Sequence, residues 1–439
     1  MSKSRRSLGL IAILAMLPGC MKDMGDGVVS RFKGAEPTAT APADPKLQKA
    51  VAKPSDASEI IHALQTRPSV ILSGTPYSRV ADAVIASDSR VAEAELRVAQ
   101  LRAEAAQSNW MPRIGPRISL NSLGDFVAEL VINQVLFDNG RKKAERDLAK
   151  ANVEIAAVTL VEDGNERVYD ALSLYIRAEE NRDLSAHLNS ALKEMAHFEW
   201  VMQERVNGGV SDMSDLNVLR QKLSSMRARS GEAQEATTTA MAELNAMSAR
   251  KLDELRGIGG LKETSAGEPL GVIRASAKRE QAIAEAKIAR ASNLPGLAAN
   301  GAVGAGGLSG GLEVTTDSLF SLGTMAEFEA IEATKESATR RVAEAREVAE
   351  RQVQAQSNRL VAFRRQAAEA STLTAQAKQN LDLFRAQYEG GQRQVMDVVG
   401  VYETYAAALE TEIQLKYKAA RAELELARLR GALAEGARI

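Results

Sequence analysis

Two short stretches, Leu136-Phe137-Asp138-Asn139-Gly140 and Val206-Asn207-Gly208-Gly209, decide the reading of this chain because each occurs twice. The first returns as Leu319-Phe320-Ser321-Leu322-Gly323 and the second as Tyr388-Glu389-Gly390-Gly391. A third mark, Asn109-Trp110-Met111-Pro112, returns as Ser292-Asn293-Leu294-Pro295. Taken along the chain, the offsets are 183, 183 and 182 residues, and Asp215 and Asp397 follow the two Gly-Gly pairs at the same separation. Different marks in one order at nearly one spacing define a tandem duplication. The repeated unit is helix, proline, extended segment, Leu-Phe turn, long helix, Gly-Gly turn, long helix. The copies fall at 78–256 and 271–435, joined by a linker at 257–270.

The segments between the marks have two periods. Ala144, Leu148, Ala151, Ile155 and Val158 follow the 4-3 alternation of a coiled-coil seam, with alanines small enough for close helix approach. The same spacing then meets Glu162, Asn165, Tyr169 and Leu172, so polar residues interrupt the stripe before it resumes. No proline lies between Pro116 and Pro269. A helix from Arg141 to Val206 would run about 100 Å at ~1.5 Å per residue and needs partners along its whole length. Between Pro112 and Phe137 the period shortens to two. Ile118 and Leu120 alternate with Arg117, Ser119 and Asn121; beyond a Leu123-Gly124-Asp125 turn, Phe126, Ala128, Leu130 and Ile132 form the apolar set. The hairpins are placed at 113–137 and 296–320, the second with Leu297, Ala299, Val303, Leu312 and Val314 diluted by glycines. Strands of about ten residues span a bilayer when tilted. Four strands cannot close alone, and open edges are not viable in lipid, so spanning strands must be pooled, twelve from three copies. A soluble hairpin capping the helices is the competing reading.

The 439 residues are 45% hydrophobic but only 4% aromatic, and 26% charged at a net charge of −1. That mixture favours long helices over a compact enzyme, and no basic surface points to a nucleic acid. The sole cysteine, Cys20, excludes an intramolecular disulfide. It ends Leu17-Pro18-Gly19-Cys20, after a basic start (Lys3, Arg5, Arg6) and an apolar run, Leu8 to Leu17, too short to span. This resembles the bacterial lipobox, with Pro18 where Ala or Ser is usual. It predicts removal of residues 1–19 and acylation of Cys20; an ordinary signal peptide is the alternative. Met21, in place of Asp, implies delivery to outer-membrane lipid. Residues 20–77, rich in Pro, Ala and Thr, read as an acylated, extended tether.

The duplicated pattern of proline, hairpin, Leu-Phe-Asp-x-Gly-Arg, long helix and Gly turn followed by Asp resembles the TolC-like outer-membrane channels, over roughly residues 78 to 435. The most specific pieces are Leu136 to Arg141 and Glu389 to Val398. The resemblance implies a mainly α fold with a small β part. Tandem-duplicated coiled-coil helices form a trimeric α-barrel, and four strands per protomer join a shared twelve-stranded membrane β-barrel. It implies a homotrimer in the outer membrane of a Gram-negative bacterium. Its partners would be a periplasmic adapter (membrane fusion protein) and an inner-membrane transporter of the ABC or RND type. Lipidation resembles channels of proton-driven efflux, the tip pattern those that also serve ATP-driven type I secretion, so cargo and energy source stay open.

A duct has no transition state to stabilise, so its chemistry is gating and selectivity at the narrow end. Gly208, Gly209, Gly390 and Gly391 make the tip turns, where glycine can take positive φ. Asp215 and Asp397 fall in the first turn of the next helix, and complementing its dipole is one sufficient role. The resemblance adds another: Ser214 and Asp215 match a Thr-Asp pair, Tyr388 and Arg393 match residues that hold neighbouring coils closed, and Asp397 matches a pore carboxylate. Asp215, with Ser214, is then expected to pair with Tyr388 and Arg393. The second pore aspartate is replaced by Gly400. His187 and His197 point to different helix faces, so neither a metal nor a cofactor is expected. The run Gly301 to Gly311 lacks a third glycine at Ser309 and a following Gly-Lys-Ser/Thr, and reads as thin strands. Trp110 reads as an interfacial anchor and Trp200 as a buried helix contact. No nucleophile with a base is found, so the chain is read as no enzyme. The alternatives are a periplasmic coiled-coil structural lipoprotein or an adapter without its own pore.

Overall fold

Long uninterrupted helices follow from alanine, leucine, glutamate and arginine runs free of proline, bounded by residues that cap. The computed structural model describes residues 58–87, 91–120, 126–262, 267–304, 307–315 and 324–436. Cys20, its leader, the Leu123-Gly124-Asp125 turn and the repeated mark at 319–323 lie outside the described residues. Helices α1 (Glu59–Gln65), α2 (Pro76–Ile85) and α3 (Val91–Gln107) precede strands β1 (Arg113–Leu120) and β2 (Phe126–Phe137). Helix α4 (Arg141–Asn207) has 67 residues, roughly 100 Å at ~1.5 Å each, and turns back into α5 (Met213–Ala246). The second copy repeats the order: α6 (Leu270–Ser292), β3 (Gly296–Gly304), β4 (Gly307–Thr315), α7 (Thr324–Glu389) and α8 (Val395–Leu429). The Gly301–Gly311 run lies largely within β3 and β4.

Asp138 starts α4. Its carboxylate accepts from Gly140 N–H at 3.1 Å and Lys142 N–H at 2.6 Å, while Asn139 and Gly140 take φ of 54° and 84°. One line of the heptad seam is buried, while Leu148, Ile155, Glu162 and Tyr169 on the other line are half-buried. Ala144, Ala151, Val158, Asn165 and Leu172, seven apart, are all buried. Asn165 stays in the seam because its amide donates to Arg428 O at 3.0 Å and its carbonyl accepts from Leu433 N–H at 3.1 Å. Glu162, beside it, forms an ion pair with Arg274, and burial raises its pKa against the opposing pull of Arg274 and Lys278.

Residues 58–77, placed in the extended tether by the sequence reading, are instead folded onto the helices. Ser58 Oγ caps α1, and Leu64, Val70, Ile71 and Tyr77 are buried. Val70 N–H donates to Ala432 O at 2.9 Å and Lys262 N–H to Val70 O at 2.8 Å, next to an antiparallel bridge between Ile71 and Leu261. Residues 67–71, Leu261, Lys262, Glu268 and residues 430–433 are thus joined in one belt. Arg67 closes it, donating to Arg430 O at 3.1 Å, Gly431 O at 3.2 Å and Glu268 O. Burial lowers its pKa, although Glu268 opposes the shift, and the guanidinium sits at the negative end of α8.

Candidate functional site: the helical tip and the strand sheet

At the tip the two hairpins end in the same hydrogen-bond pattern. Val210 N–H donates to Arg205 O at 2.9 Å and Gly209 N–H to Val206 O at 3.0 Å; Gln392 N–H donates to Gln387 O at 2.8 Å and Gly391 N–H to Tyr388 O at 2.9 Å. These are two Schellman motifs, each with glycine in the left-handed position. Gly209 and Gly391 have φ of 75° and 72°. Gly208 is right-handed at −79° and Gly390 is not among the positive-φ residues, so only the second glycine of each pair uses the freedom expected of all four.

Both following helices open alike. Asp212 caps α5 through Ser214 N–H at 3.1 Å, placing Asp215 at the third helical position. Gln394 caps α8, and Asp397, at the corresponding position, accepts from Gln394 N–H at 3.1 Å. The Asp397 carboxylate is exposed while serving its own helix. One apolar cluster joins the tips: Met195, Phe198 and Met202 of α4, Leu216 and Leu219 of α5, Leu381 of α7, and Val395, Val398 and Tyr402 of α8. Tyr388 packs against it, half-buried. Burial pushes the Tyr402 phenol up to about 12, with Glu194 adding to the shift, so the ring stays neutral. Arg393 donates to Gln387 Oε1 at 3.1 Å and lies 4.5 Å over the Phe384 ring. Among the described residues of the single chain, no hydrogen bond joins Ser214 or Asp215 to Tyr388 or Arg393. The fold brings their two turns onto one core.

Trp200 is corrected. It is 62% exposed and stacks on His197 with ring centroids 6.1 Å apart, because it occupies the face of α4 away from Phe198. His187 Nε2 lies 3.0 Å from Ala406 O on α8, and burial lowers its pKa. Among the described residues there is no cluster of three metal-ligating side chains.

At the other end, β1 to β4 form one antiparallel sheet in chain order, leaving β1 and β4 as edges. The register puts Ile114 beside Ile132, and Leu130 between Pro116 and Val303, which in turn pairs with Leu308. Ala299 pairs with Leu312 and Leu297 with Val314 on the same face. This face is apolar and uncovered: Ile114 is 63% exposed, Ile118 73%, Leu312 70% and Val314 71%. Arg113, Arg117, Glu129, Asn133, Asn300 and Glu313 take the opposite face. There Asn133 Nδ2 donates to Asn300 Oδ1 at 2.6 Å, and Asn300 Nδ2 to Glu313. Trp110, 55% exposed, stands at the sheet's base, its carbonyl accepting from Gln134. No described helix is long and apolar enough to cross a membrane.

Paired helices of about 100 Å, a double tip and a two-faced open sheet define the fold of a TolC-like outer-membrane channel. Solved structures carry it. A membrane protein from Pseudomonas aeruginosa superposes with a TM-score of 0.73 at 16% identity, over 91% of this chain and 98% of that one. The outer membrane protein VceC from Vibrio cholerae gives 0.69 at 16%, over 81% and 96%. The CmeC outer membrane channel of Campylobacter jejuni gives 0.72 at 15%, over 92% and 95%. At these identities the likeness is one of fold. No family model matches the sequence, and no curated protein matches it.

Proposed function

We propose that this chain is the outer-membrane exit duct of a tripartite export system, a passive conduit and not an enzyme. The observation that carries the reading is the four-stranded sheet, apolar and bare on one face, polar on the other, with unpaired backbone at both edges. Such a sheet is stable in lipid only as part of a closed barrel, and three copies supply twelve strands. Acylated Cys20 anchors each copy to the membrane, and the long helices carry the conduit through the periplasm to an adapter and an inner-membrane transporter. The tip is the gate. Across copies, Arg393 and Tyr388 hold Ser214 and Asp215, and docking lets the coils splay; Asp397 lines the pore with three carboxylates around the axis. Support comes from the matching Schellman turns of the two tips and from the exposure of Ser214, Arg393 and Asp397. The solved neighbours lend the fold, and CmeC, OprN and MtrE among them are outer membrane channels.

The test is planar-bilayer conductance of the detergent-extracted protein beside Tyr388→Phe/Arg393→Ser. Small cation-selective steps that grow in the double variant are expected. Folded, trimeric protein that forms no channel would instead make the chain a periplasmic coiled-coil lipoprotein with a soluble hairpin cap.

A further inference from the structure

Three asparagines of this chain are followed by glycine, in Asn139-Gly140, Asn207-Gly208 and Asn300-Gly301, and the fold holds them differently. Such a pair can react with itself. The backbone nitrogen of the glycine attacks Cγ of the asparagine side chain, and with no Cβ on the attacking residue nothing shields the approach. Reaction then depends on how firmly the local backbone and the side-chain amide are held.

Asn300 is fixed. It lies inside β3, paired with Asn133 of β2 on one side and Gly311 of β4 on the other. Its side-chain carbonyl accepts from Asn133 at 2.6 Å and its amide nitrogen donates to Glu313. Asn139 is half-buried in the turn before α4, with φ of 54°. Its amide nitrogen, the group that would leave, donates to Pro295 O at 2.9 Å, and Gly140 N–H donates to Asp138 at 3.1 Å. Asn207 differs. It is exposed, it is the last residue of α4, and its side-chain carbonyl accepts from Gln203 Nε2 at 3.0 Å. What restrains the attacking nitrogen is the bond from Gly208 N–H to Glu204 O at 3.0 Å, in the last turn, where a helix frays.

We infer that Asn207 is a site of self-modification, where Gly208 N closes on Asn207 Cγ ahead of the other two pairs and the residue becomes aspartate and isoaspartate. When the last turn frays, Gly208 N–H leaves Glu204 O and its nitrogen bonds to Cγ, its proton passing to water. Gln203 donates to the side-chain oxygen on which negative charge develops. The Cγ–Nδ2 bond breaks, ammonia leaves with a proton returned by water, and a cyclic imide remains. Water then adds to either imide carbonyl. Opening at one restores the chain with aspartate, and opening at the other routes the backbone through the side-chain carbon as isoaspartate. The sum is side-chain amide plus water to carboxylate plus ammonium, with no redox change. Both products put a carboxylate at the C-terminal end of α4, where the helix dipole is negative and Glu204 lies one turn back. Isoaspartate also lengthens the backbone inside the turn closed by Gly209 N–H to Val206 O and Val210 N–H to Arg205 O. The second tip is exempt, because the repeat image of Asn207 is Glu389, ahead of Gly390. The chemistry is thus confined to one of the two turns that the duplication made alike.

The test sets the folded full chain against the unfolded one, and its outcome does not depend on whether the chain forms a pore. Protein in detergent is held at mildly alkaline pH in heavy-oxygen water and digested, and the three asparagine peptides are followed by mass spectrometry. An isoaspartyl methyltransferase marks the isoaspartate. In guanidinium, where only the shared Asn-Gly chemistry acts, the three should convert at similar rates. In the folded chain Asn207 should keep most of its unfolded rate while Asn139 and Asn300 fall behind. Gln203→Leu, with its fold checked by circular dichroism, should slow Asn207 about fivefold in the folded chain and leave the rate in guanidinium unchanged. Hydrogen exchange at Gly209 and Val210 should quicken as isoaspartate accumulates. Conversion of Asn139 or Asn300 ahead of Asn207, or protection of Asn207 equal to theirs, overturns the site. A Gln203→Leu rate equal to that of the unaltered chain overturns the role of Gln203.

Discussion

Substitution of neighbouring residues on β2 separates a membrane barrel from a soluble cap. Leu130 lies on the apolar face between Pro116 and Val303, and Val131 on the polar face between Gly115 and Ala302. Successive strand residues point to opposite sides, so Leu130→Arg places a charge in lipid and Val131→Arg places it in the lumen, beside small neighbours. An arginine on the lipid face costs about 2–4 kcal/mol at mid-membrane. Three copies raise this to about 6–12 kcal/mol per barrel, and each site alone is worth roughly 30- to 900-fold in the folding equilibrium. On a water-exposed cap, where Leu130 is already 48% exposed, the same change would stay within about 0.5 kcal/mol. The assay is the yield of detergent-resistant trimer from outer-membrane fractions, followed by urea titration in lipid vesicles. Leu130→Arg should abolish the trimer or shift its midpoint sharply downward, with Val131→Arg close to wild type. Equal behaviour of the two variants would refute the assignment of the apolar face to lipid.

Three further outcomes concern the tip and His187. Gly209→Ala and Gly391→Ala each force a side chain into a left-handed conformation and should lose about 1–2 kcal/mol, whereas Gly208→Ala, whose Cβ would meet Glu204 O at an ordinary 3.4 Å, should cost little; thermal melts by circular dichroism compare them. Asp397→Asn keeps an acceptor for Gln394 N–H, so the fold should persist while cation selectivity drops; an unchanged reversal potential would show that Asp397 does not set pore selectivity. His187 is depressed by burial, so its neutral form is the folded one: its contribution is complete above its unfolded value of about 6.5 and is lost as pH falls through the folded value. Glu410 and Arg229 face it with opposing effects. His187→Gln should flatten the acid-side loss in melting temperature.

The repeat and the ends of the elements were legible because punctuation residues act locally. A left-handed glycine, a proline before a strand and an aspartate ahead of a helix each work within a few bonds, and α4, β1 and α8 begin where those residues predict. Residues 58–77 were not legible, since what orders them is distant: Ala432, Leu261 and Lys262 satisfy backbone groups that the local sequence cannot. Trp200 misled for a related reason. It was read as a buried helix contact, but its turn on α4 faces outward and its partner is His197, three residues before it. The gate reading of Ser214, Asp215, Tyr388 and Arg393 came from the family resemblance of the tip, and in the single chain Arg393 turns instead to Gln387 and Phe384.

A seam of alanine and leucine repeating every seven residues does not fix its own register, because sliding by one heptad restores nearly the same contacts. Asn165 removes that freedom. Its amide and carbonyl meet Arg428 O and Leu433 N–H, and a shift of one heptad would bury both polar ends of the side chain without partners, at a cost of about 1–3 kcal/mol each. The belt reinforces the same level, with Arg67 binding the carbonyls of Arg430 and Gly431 just past α8. Asn165 lies 42 residues before the end of α4, about 60 Å from the tip. The helices are thus pinned at mid-length by specific polar contacts and closed at the tip by capped turns and packing. Under the proposed function, the splaying of the coils would lie beyond the belt, toward the end that carries Arg393, Asp215 and Asp397.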